Sequence, residues 1–112
     1  MRKDKYLWVS ASKPRLGKEA EYNKWYDQHV TTFFKFPGLK RVSRNRCVNS
    51  FKSGDKCPQY LTIYEFDTKE DLEAFSKSEA MEIAKKEYDE GYAEVAEGLW
   101  TGWWEPMKTL ER

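Results

Sequence analysis

One long helical pattern, over residues 18–36, restricts the possible folds of this chain more than any other feature. Its large side chains recur at the spacing of one helix face, and the opposite face is polar. The helix is predicted to end at Phe36, because Pro37 disfavours the α conformation in the residue before it and Gly38 follows. The inward face consists of Tyr22, Trp25, Tyr26, His29, Val30 and Phe33, of which only His29, the single histidine of the chain, is not apolar or aromatic.

Four shorter stretches have the alternating pattern of β-strands, at residues 5–12, 39–48, 59–67 and 99–106. The second and third are separated by residues 49–58, a polar segment rich in Ser, Gly and Asp, which predicts a β-hairpin. In the first strand both faces are largely apolar, which indicates that both are covered in the folded protein.

A second helical pattern covers residues 69–96. Its apolar face slips in phase near residues 76–78, so a break or kink is predicted there. Gly98 is expected to close the second piece, because glycine favours the backbone conformation that ends many helices. Two alternative capping boxes begin the pattern: Asp67 with Glu70, or Thr68 with Asp71.

The order of these elements, β-α-β-β-α-β, predicts one α+β domain over residues 1–112. It is the order of the ferredoxin-like sandwich, a four-stranded antiparallel sheet with the helices on one face. The other face retains aromatic side chains, for which the candidates are Tyr6 or Trp8, Tyr64 and Trp104. The sequence does not decide which alternate set of side chains faces the helices. In either case an apolar sheet face is expected to be covered by a partner.

Charge and composition exclude other classes of protein. The 20 basic residues balance 19 acidic ones to a net charge of +1, so no clustered basic surface is expected and nucleic acid is excluded as a partner. No apolar run approaches the ~20 residues that span a bilayer, so no membrane association is expected. The N-terminal stretch is too short and too aromatic for a signal peptide, and the expected location is the cytoplasm.

Two cysteines, Cys47 and Cys57, flank the predicted hairpin turn. With a single histidine they offer too few ligands for a structural metal site, which commonly uses about four. We therefore expect no bound metal and two free thiols, although the two residues could approach within disulfide range.

Three segments carry a resemblance to a known family. They read EAEYNKWYDQHV at residues 19–30, FPGLKR at 36–41 and QYLTIYEFD at 59–67. The chain resembles the EthD-like group of the dimeric α/β-barrel superfamily from residue 6 to about residue 80. The most specific part is the Trp-Tyr-Asp-x-His-Val helix that precedes Pro-Gly and a strand.

The resemblance implies a homodimer in which two sheets pack face to face into a barrel. It also implies an apolar pocket between each sheet and its helices, with no metal or organic cofactor in most members. The superfamily includes polyketide cyclases, muconolactone-type isomerases, small lyases and haem-degrading monooxygenases. The histidine of the family's helix corresponds to His29. Thr31 stands where the family often has proline, and Asn45 follows Arg44 where an aromatic residue is common, so no substrate class is implied.

The role of His29 has two open interpretations. It is a buried imidazole that hydrogen-bonds a backbone carbonyl, or it is a general base, for which a pKa of about 6.5 is well suited. Surrounding aromatic rings would lower that pKa and favour the neutral form. Tyr26 and Tyr64 are expected to flank the same cleft, where a phenol can donate to a developing enolate or phenolate oxygen; otherwise they are core residues.

The remaining candidates are ligand-binding residues, each with a structural alternative. Trp8, Trp25, Tyr88 and Trp104 could form aromatic walls for a flat ligand, or belong to the core or an interface. Arg44 could bind a carboxylate, or be a solvated or salt-bridged strand residue.

Together these features predict a small cofactor-independent enzyme that catalyses proton transfer on an apolar, aromatic or polyketide-like oxygenated molecule. The expected reaction is of the cyclase, isomerase or lyase type, with His29 as base and Tyr26 or Tyr64 polarising the oxygen. Two alternatives stay open: a non-catalytic small-molecule binding or stress-related protein of the same fold, and a haem-binding or haem-degrading protein.

Overall fold

The computed structural model describes residues 4–52 and 56–112. Its elements follow the predicted order, with the second helical pattern divided into two helices. They are β1 (Tyr6–Pro14), α1 (Glu19–Phe33), β2 (Leu39–Arg46), β3 (Tyr60–Phe66), α2 (Lys69–Ser76), α3 (Glu79–Val95) and β4 (Ala96–Trp104). The predicted turn at residues 49–58 lies partly outside the described residues, at 53–55.

The four strands form one antiparallel sheet in the order β2-β3-β1-β4. The predicted ferredoxin-like arrangement is therefore confirmed, with β2 and β4 at the edges. The helices pack on one face, where alternate side chains of the central strands β1 and β3 meet apolar side chains of α1 and α2.

The second helical pattern breaks where it was predicted to break. The Ser78 hydroxyl accepts a hydrogen bond of 3.1 Å from the Met81 N–H, so it caps a new helix three residues after Phe75. At the start of α2 the Thr68 hydroxyl accepts from the Asp71 N–H at 3.0 Å. Of the two capping alternatives, the pair that begins at Thr68 is thus the one that forms.

The ends of two helices differ from the prediction. The helix α1 ends at Phe33, because residues 34–38 form tight turns that deliver Leu39 into the sheet, where it is 3% exposed. Gly98 does not close α3, which ends at Val95 and passes directly into β4, so that Gly98 is a strand residue. There it gives room to Tyr92, whose hydroxyl would lie 3.2 Å from an added Cβ.

The register of the sheet settles which side chains face the helices. Trp8 is opposite Tyr64, and their rings stack at 4.3 Å between centroids on the helix side, where Trp8 also meets Phe33. Tyr6, opposite Phe66, is on the same side. The expectation that Tyr6 or Trp8 and Tyr64 lie on the open face was therefore wrong, because the space beneath the helices takes the larger rings.

The open face combines apolar side chains with the ion pair of Glu65 and Arg41, and among the described strands its aromatic residues come from β4. Trp104 pairs with Leu7 and Trp100 with Ala11, so both tryptophans belong to this face, as predicted for Trp104. The larger aliphatic side chains of this open face are Leu7, Val9, Leu61 and Ile63. The β1–β4 register shifts between Ala11 and Ser12, and Leu99 is the extra residue of a bulge in β4.

The core consists of two groups of rings. One surrounds Phe33, Tyr64, Phe66 and Phe75, and the other surrounds Tyr22, Tyr26, Tyr60 and Tyr92. In the part of the chain that the structure describes, no helix is long and apolar enough to cross a membrane.

Candidate active site

A cavity of about 620 Å³ lies between the two aromatic groups, under α1 and α3 and against the helix side of the sheet. Its wall is predominantly aromatic and aliphatic. Most of the residues predicted to form the site line this cavity: His29, Tyr26, Tyr64, Trp25, Trp8 and Tyr88. The structure thus brings together all three candidate catalytic residues and three of the candidate ligand-binding ones.

His29 is buried in the wall of the cavity and is held by a carboxylate. Its Nδ1 lies 2.9 Å from Oε1 of Glu87, and the second oxygen of Glu87 accepts a hydrogen bond of 2.7 Å from the Thr32 hydroxyl. An ionised carboxylate only accepts hydrogen bonds, so Nδ1 carries the proton of the neutral imidazole. The Nε2 atom then has the lone pair, and it makes no hydrogen bond to any residue in 4–52 or 56–112.

Burial lowers the pKa of His29 below its ordinary value of 6.5, and the hydrogen bond and charge of Glu87 oppose this effect only in part. The imidazole is therefore neutral at neutral pH, which is the state that accepts a proton. The predicted effect of the aromatic surroundings on this pKa is confirmed in direction. The backbone carbonyl expected by the structural interpretation is replaced by a carboxylate.

Aromatic rings fix the orientation of the imidazole. The Trp25 ring stacks on it at 4.3 Å with an interplanar angle of 27°, and Phe33 meets it edge-on at 4.7 Å. Trp25 in turn lies against α3 at Gly91, where an added Cβ would be 3.1 Å from the indole nitrogen. A rigid frame of this kind limits the ring to one position relative to the cavity.

The tyrosines of the cavity are strong candidates for hydrogen-bond donors. Burial raises the pKa of Tyr64 well above 10.0, and burial together with Tyr26 raises the pKa of Tyr92 in the same direction. Both phenols therefore remain protonated at neutral pH. Tyr88 stacks on Tyr92 at 4.3 Å and is 50% exposed, so it forms the mouth of the cavity.

Arg44 lies outside the cavity, behind Tyr26. Its guanidinium is 4.9 Å from the centre of the Tyr26 ring and donates hydrogen bonds of 3.0 Å to Asp27 and to Asn23. These partners agree with the salt-bridged alternative for Arg44.

Trp104 also lies outside the cavity, because it belongs to the open face of the sheet. It is 55% exposed, and its indole nitrogen approaches Gly102. Trp100, which precedes it by four residues, belongs to the same open face but lies on the edge strand β4, where it also contributes to the rim of the cavity.

Sequence reasoning missed Glu87 and Thr32. Both had a detectable signal, since Thr32 lies three residues after His29 on the same face of α1, and Glu87 lies three residues after the buried Ala84 on α3. An acidic residue on an inward helix face is uncommon unless it has a partner. Among the described residues, no group of three His, Cys, Asp or Glu side chains could hold a metal ion.

No family model matches the sequence, and no curated protein matches it either. Solved structures of low sequence identity have the same fold. A Bacillus halodurans protein of the ethyl tert-butyl ether D (EthD) family is 18% identical, with a TM-score of 0.68 over 93% of this chain and 99% of that one. SnoaB from Streptomyces nogalater, described as a cofactor-independent oxygenase, is 14% identical, with a TM-score of 0.69 over 97% of this chain and 99% of that one.

A third protein, a candidate antibiotic biosynthesis monooxygenase of Bordetella bronchiseptica, is 18% identical. Its TM-score is 0.63 over 96% of this chain and 100% of that one. At these identities the likeness establishes the fold and no residue roles. The chain has the ferredoxin-like fold that these structures share, and the fold predicted from the EthD-like resemblance is confirmed.

Proposed function

We propose that this protein is a small enzyme that catalyses proton transfer on an apolar, oxygenated aromatic or polyketide-like molecule, without a metal or organic cofactor. The single observation that supports it most is the His29–Glu87 pair in the wall of an aromatic cavity. A buried neutral imidazole with a carboxylate on one nitrogen has the arrangement of a general base.

The proposed reaction begins at a C–H bond next to a carbonyl group. Nε2 of His29 takes the proton, the C–H electron pair moves toward the carbonyl, and an enolate oxygen forms. Glu87 stabilises the imidazolium through Nδ1, while the hydroxyl of Tyr26 or Tyr64 donates a hydrogen bond to the enolate oxygen. Return of the proton to another carbon gives isomerisation, attack of the enolate on a second carbonyl gives cyclisation, and loss of a leaving group gives elimination.

The cavity supports the proposed substrate class. Its volume of about 620 Å³ is within the range of roughly 300–1,000 Å³ that is typical of small-molecule sites. Trp8, Trp25 and Tyr88 would hold a flat ligand by ring contacts, so they are the proposed ligand-binding residues. Arg44 and Trp104 do not line the cavity and are not part of this proposal.

An oxygenase is the second candidate function, favoured by the fold that this chain shares with SnoaB. The first step would be the same deprotonation by His29. The resulting carbanion would then react with dioxygen as a co-substrate, and oxygen consumption would distinguish this outcome from isomerisation or cyclisation.

The test uses a panel of hydroxylated polycyclic ketones and other compounds with an acidic C–H next to a carbonyl. Solvent deuterium exchange, followed by NMR, should be faster with the protein, and His29→Ala should reduce the acceleration by about 10²–10⁴-fold. Gln28→Ala, an exposed change on the same helix, is the matched control and should leave the rate unchanged.

Each alternative has its own result in this experiment. A ligand that quenches tryptophan fluorescence but exchanges no proton at any position would identify a binding protein. A Soret band that depends on His29 after haem addition would identify a haem protein. Full exchange activity in folded His29→Ala would end the general-base role.

We also propose that the partner of the open face is a second copy of this chain. Leu7, Val9, Leu61, Ile63 and Trp104 form an apolar surface that a face-to-face copy would cover. Light scattering should report twice the chain mass at micromolar concentration. Ile63→Lys should weaken the dimer, while Leu16→Lys, in the exposed β1–α1 loop, should not. A stable wild-type monomer would contradict the assembly.

A further inference from the structure

Cys47 and Cys57 lie together at the neck of the loop between β2 and β3. Cys47 follows the last residue of β2, and its N–H donates a hydrogen bond of 2.9 Å to the carbonyl of Gln59, which extends the pairing with the β3 side. This contact places the two sulfur atoms 3.7 Å apart, in van der Waals contact. Both residues are free thiols, and Cys47 is exposed.

We propose that Cys47 and Cys57 form a two-thiol oxidation site that reacts with peroxides and closes a reversible disulfide across the neck of the loop. Neither cysteine lines the cavity that contains His29, and the site is independent of the proposed activity. Its substrate class is hydrogen peroxide or a small organic hydroperoxide, and its reductant is a cellular dithiol or glutathione.

The two cysteines have different roles in the proposed reaction. Either thiol can donate in the contact between the two sulfur atoms, and this hydrogen bond is the main cause that raises the pKa of Cys57. Cys47 is the more exposed of the two cysteines, so a peroxide reaches its sulfur first. Cys57 is less exposed, lies in contact with Cys47 and acts second.

The reaction balances in two steps. The Cys47 thiolate attacks one peroxide oxygen, the O–O bond breaks, and a sulfenic acid forms while the other oxygen leaves as hydroxide, or as an alcohol after protonation. The sulfur of Cys57 then attacks the sulfur of Cys47, the S–O bond breaks, and water leaves with the Cys57 proton. In sum, two thiols are oxidised to one disulfide and one peroxide is reduced.

Contact between the two sulfur atoms favours the internal disulfide over reaction of the sulfenic acid with glutathione. The atoms must approach by roughly 1.6 Å to reach the disulfide length of about 2.05 Å. Rotation of two side chains at a loop neck covers such a distance without moving the sheet. Because Cys57 is already in contact, its effective concentration exceeds that of millimolar glutathione, which would otherwise trap the sulfenic acid.

The test treats the untagged protein with one equivalent of hydrogen peroxide in the presence of millimolar glutathione, followed by alkylation and intact mass analysis. We expect a mass loss of about 2 Da, corresponding to two hydrogens, loss of both alkylatable thiols, and a peptide that links Cys47 to Cys57. Dithiothreitol should reverse the change. Val48→Ala, at an exposed position beside the pair, is the matched control and should oxidise like the wild type.

Single variants assign the two roles. Cys57→Ser should accumulate a sulfenic acid on Cys47 that dimedone traps. Cys47→Ser should react with peroxide at least about tenfold more slowly than the wild type. Circular dichroism verifies that both variants fold. Glutathione adducts on the wild-type cysteines, crosslinks between chains, or a sulfinic acid without any internal disulfide would each overturn the proposal.

Discussion

Replacing Glu87 with glutamine keeps a carbonyl oxygen for the Nδ1–H of His29 but removes the negative charge. In the wild type that charge favours the imidazolium and partly opposes the effect of burial on the pKa of His29. Without it, burial acts alone, so the pKa of His29 should fall further below 6.5. The Thr32 hydroxyl, now 2.7 Å from Glu87, can accept from the new amide and keep the side chain in place.

The size of the shift follows from the geometry of the contact. Hydrogen bonds to charged groups contribute roughly 1.5–3 kcal/mol, and neutral ones roughly 0.5–1.5 kcal/mol. The difference is about 1–1.5 kcal/mol, which corresponds to about one pKa unit. The Glu87 side chain is 27% exposed, so solvent moderates the effect without cancelling it.

The measurement is direct because the chain has a single histidine. Proton–nitrogen NMR of untagged protein resolves one imidazole, and its titration gives the pKa while its nitrogen shifts report the tautomer. The wild type should carry its proton on Nδ1 above the pKa. Glu90→Gln, an exposed change on the same helix, should leave the titration unchanged. An unchanged or higher pKa in Glu87→Gln would refute the pairing of Glu87 with His29.

Three further results are expected. Because the pKa of His29 is lowered in the folded state, its contribution to stability is fully present above the unfolded pKa of about 6.5 and is lost as pH falls through the folded pKa. Urea unfolding at pH ~7.5 and ~5.5 should therefore show a larger decrease in the free energy of unfolding for the wild type than for His29→Gln. Equal decreases would exclude His29 as the cause. Gly91→Ala should gain up to about 1 kcal/mol of helix stability, while its Cβ displaces the Trp25 indole that stacks on His29. The NMR signals of the His29 ring should therefore shift although the melting temperature does not fall. Unchanged signals would mean that Trp25 does not pack against Gly91. Tyr64→Phe removes one hydroxyl from the cavity and should slow proton exchange by about tenfold with the fold retained, and an unchanged rate would leave the donor role to Tyr26.

The order of the elements and the break near Ser78 could be predicted because both depend on local periodicity and capping. The face of each strand could not be predicted. In β1 and β3 both alternate sets of side chains are apolar, so the pattern is equally compatible with Trp8 or Val9 against the helices. Only the fit of the Trp8 and Tyr64 rings beneath the helices decides it.

The candidate site was predictable to the extent that it lies on α1. His29, Trp25 and Tyr26 share one helix face, and that face had to meet the sheet. Glu87 was not found, because charged residues on an amphipathic helix are normally solvated and its position beside His29 depends on how α3 rotates against α1. The spacing of Glu87 from Ala84 indicated only an inward position, whereas the partner of Glu87 depends on tertiary contacts.

The bulge at Leu99 determines which side chains of β4 share a face with Leu7. If the register that sets Ser12 opposite Gly98 continued through the strand with Leu99 kept and no bulge, Leu7 would pair with Trp103, and the two neighbouring tryptophans would exchange sides of the sheet. Deleting Leu99 would instead keep Gly98 opposite Ser12 and Trp100 opposite Ala11, so the length of this strand can change by one residue without changing its pairing. A gapless alignment of this segment with a relative that lacks the bulge would therefore match outward positions with inward ones. Insertions and deletions at this position have to be assigned from strand pairing, since the sequence alone would assign the open face to the wrong tryptophan.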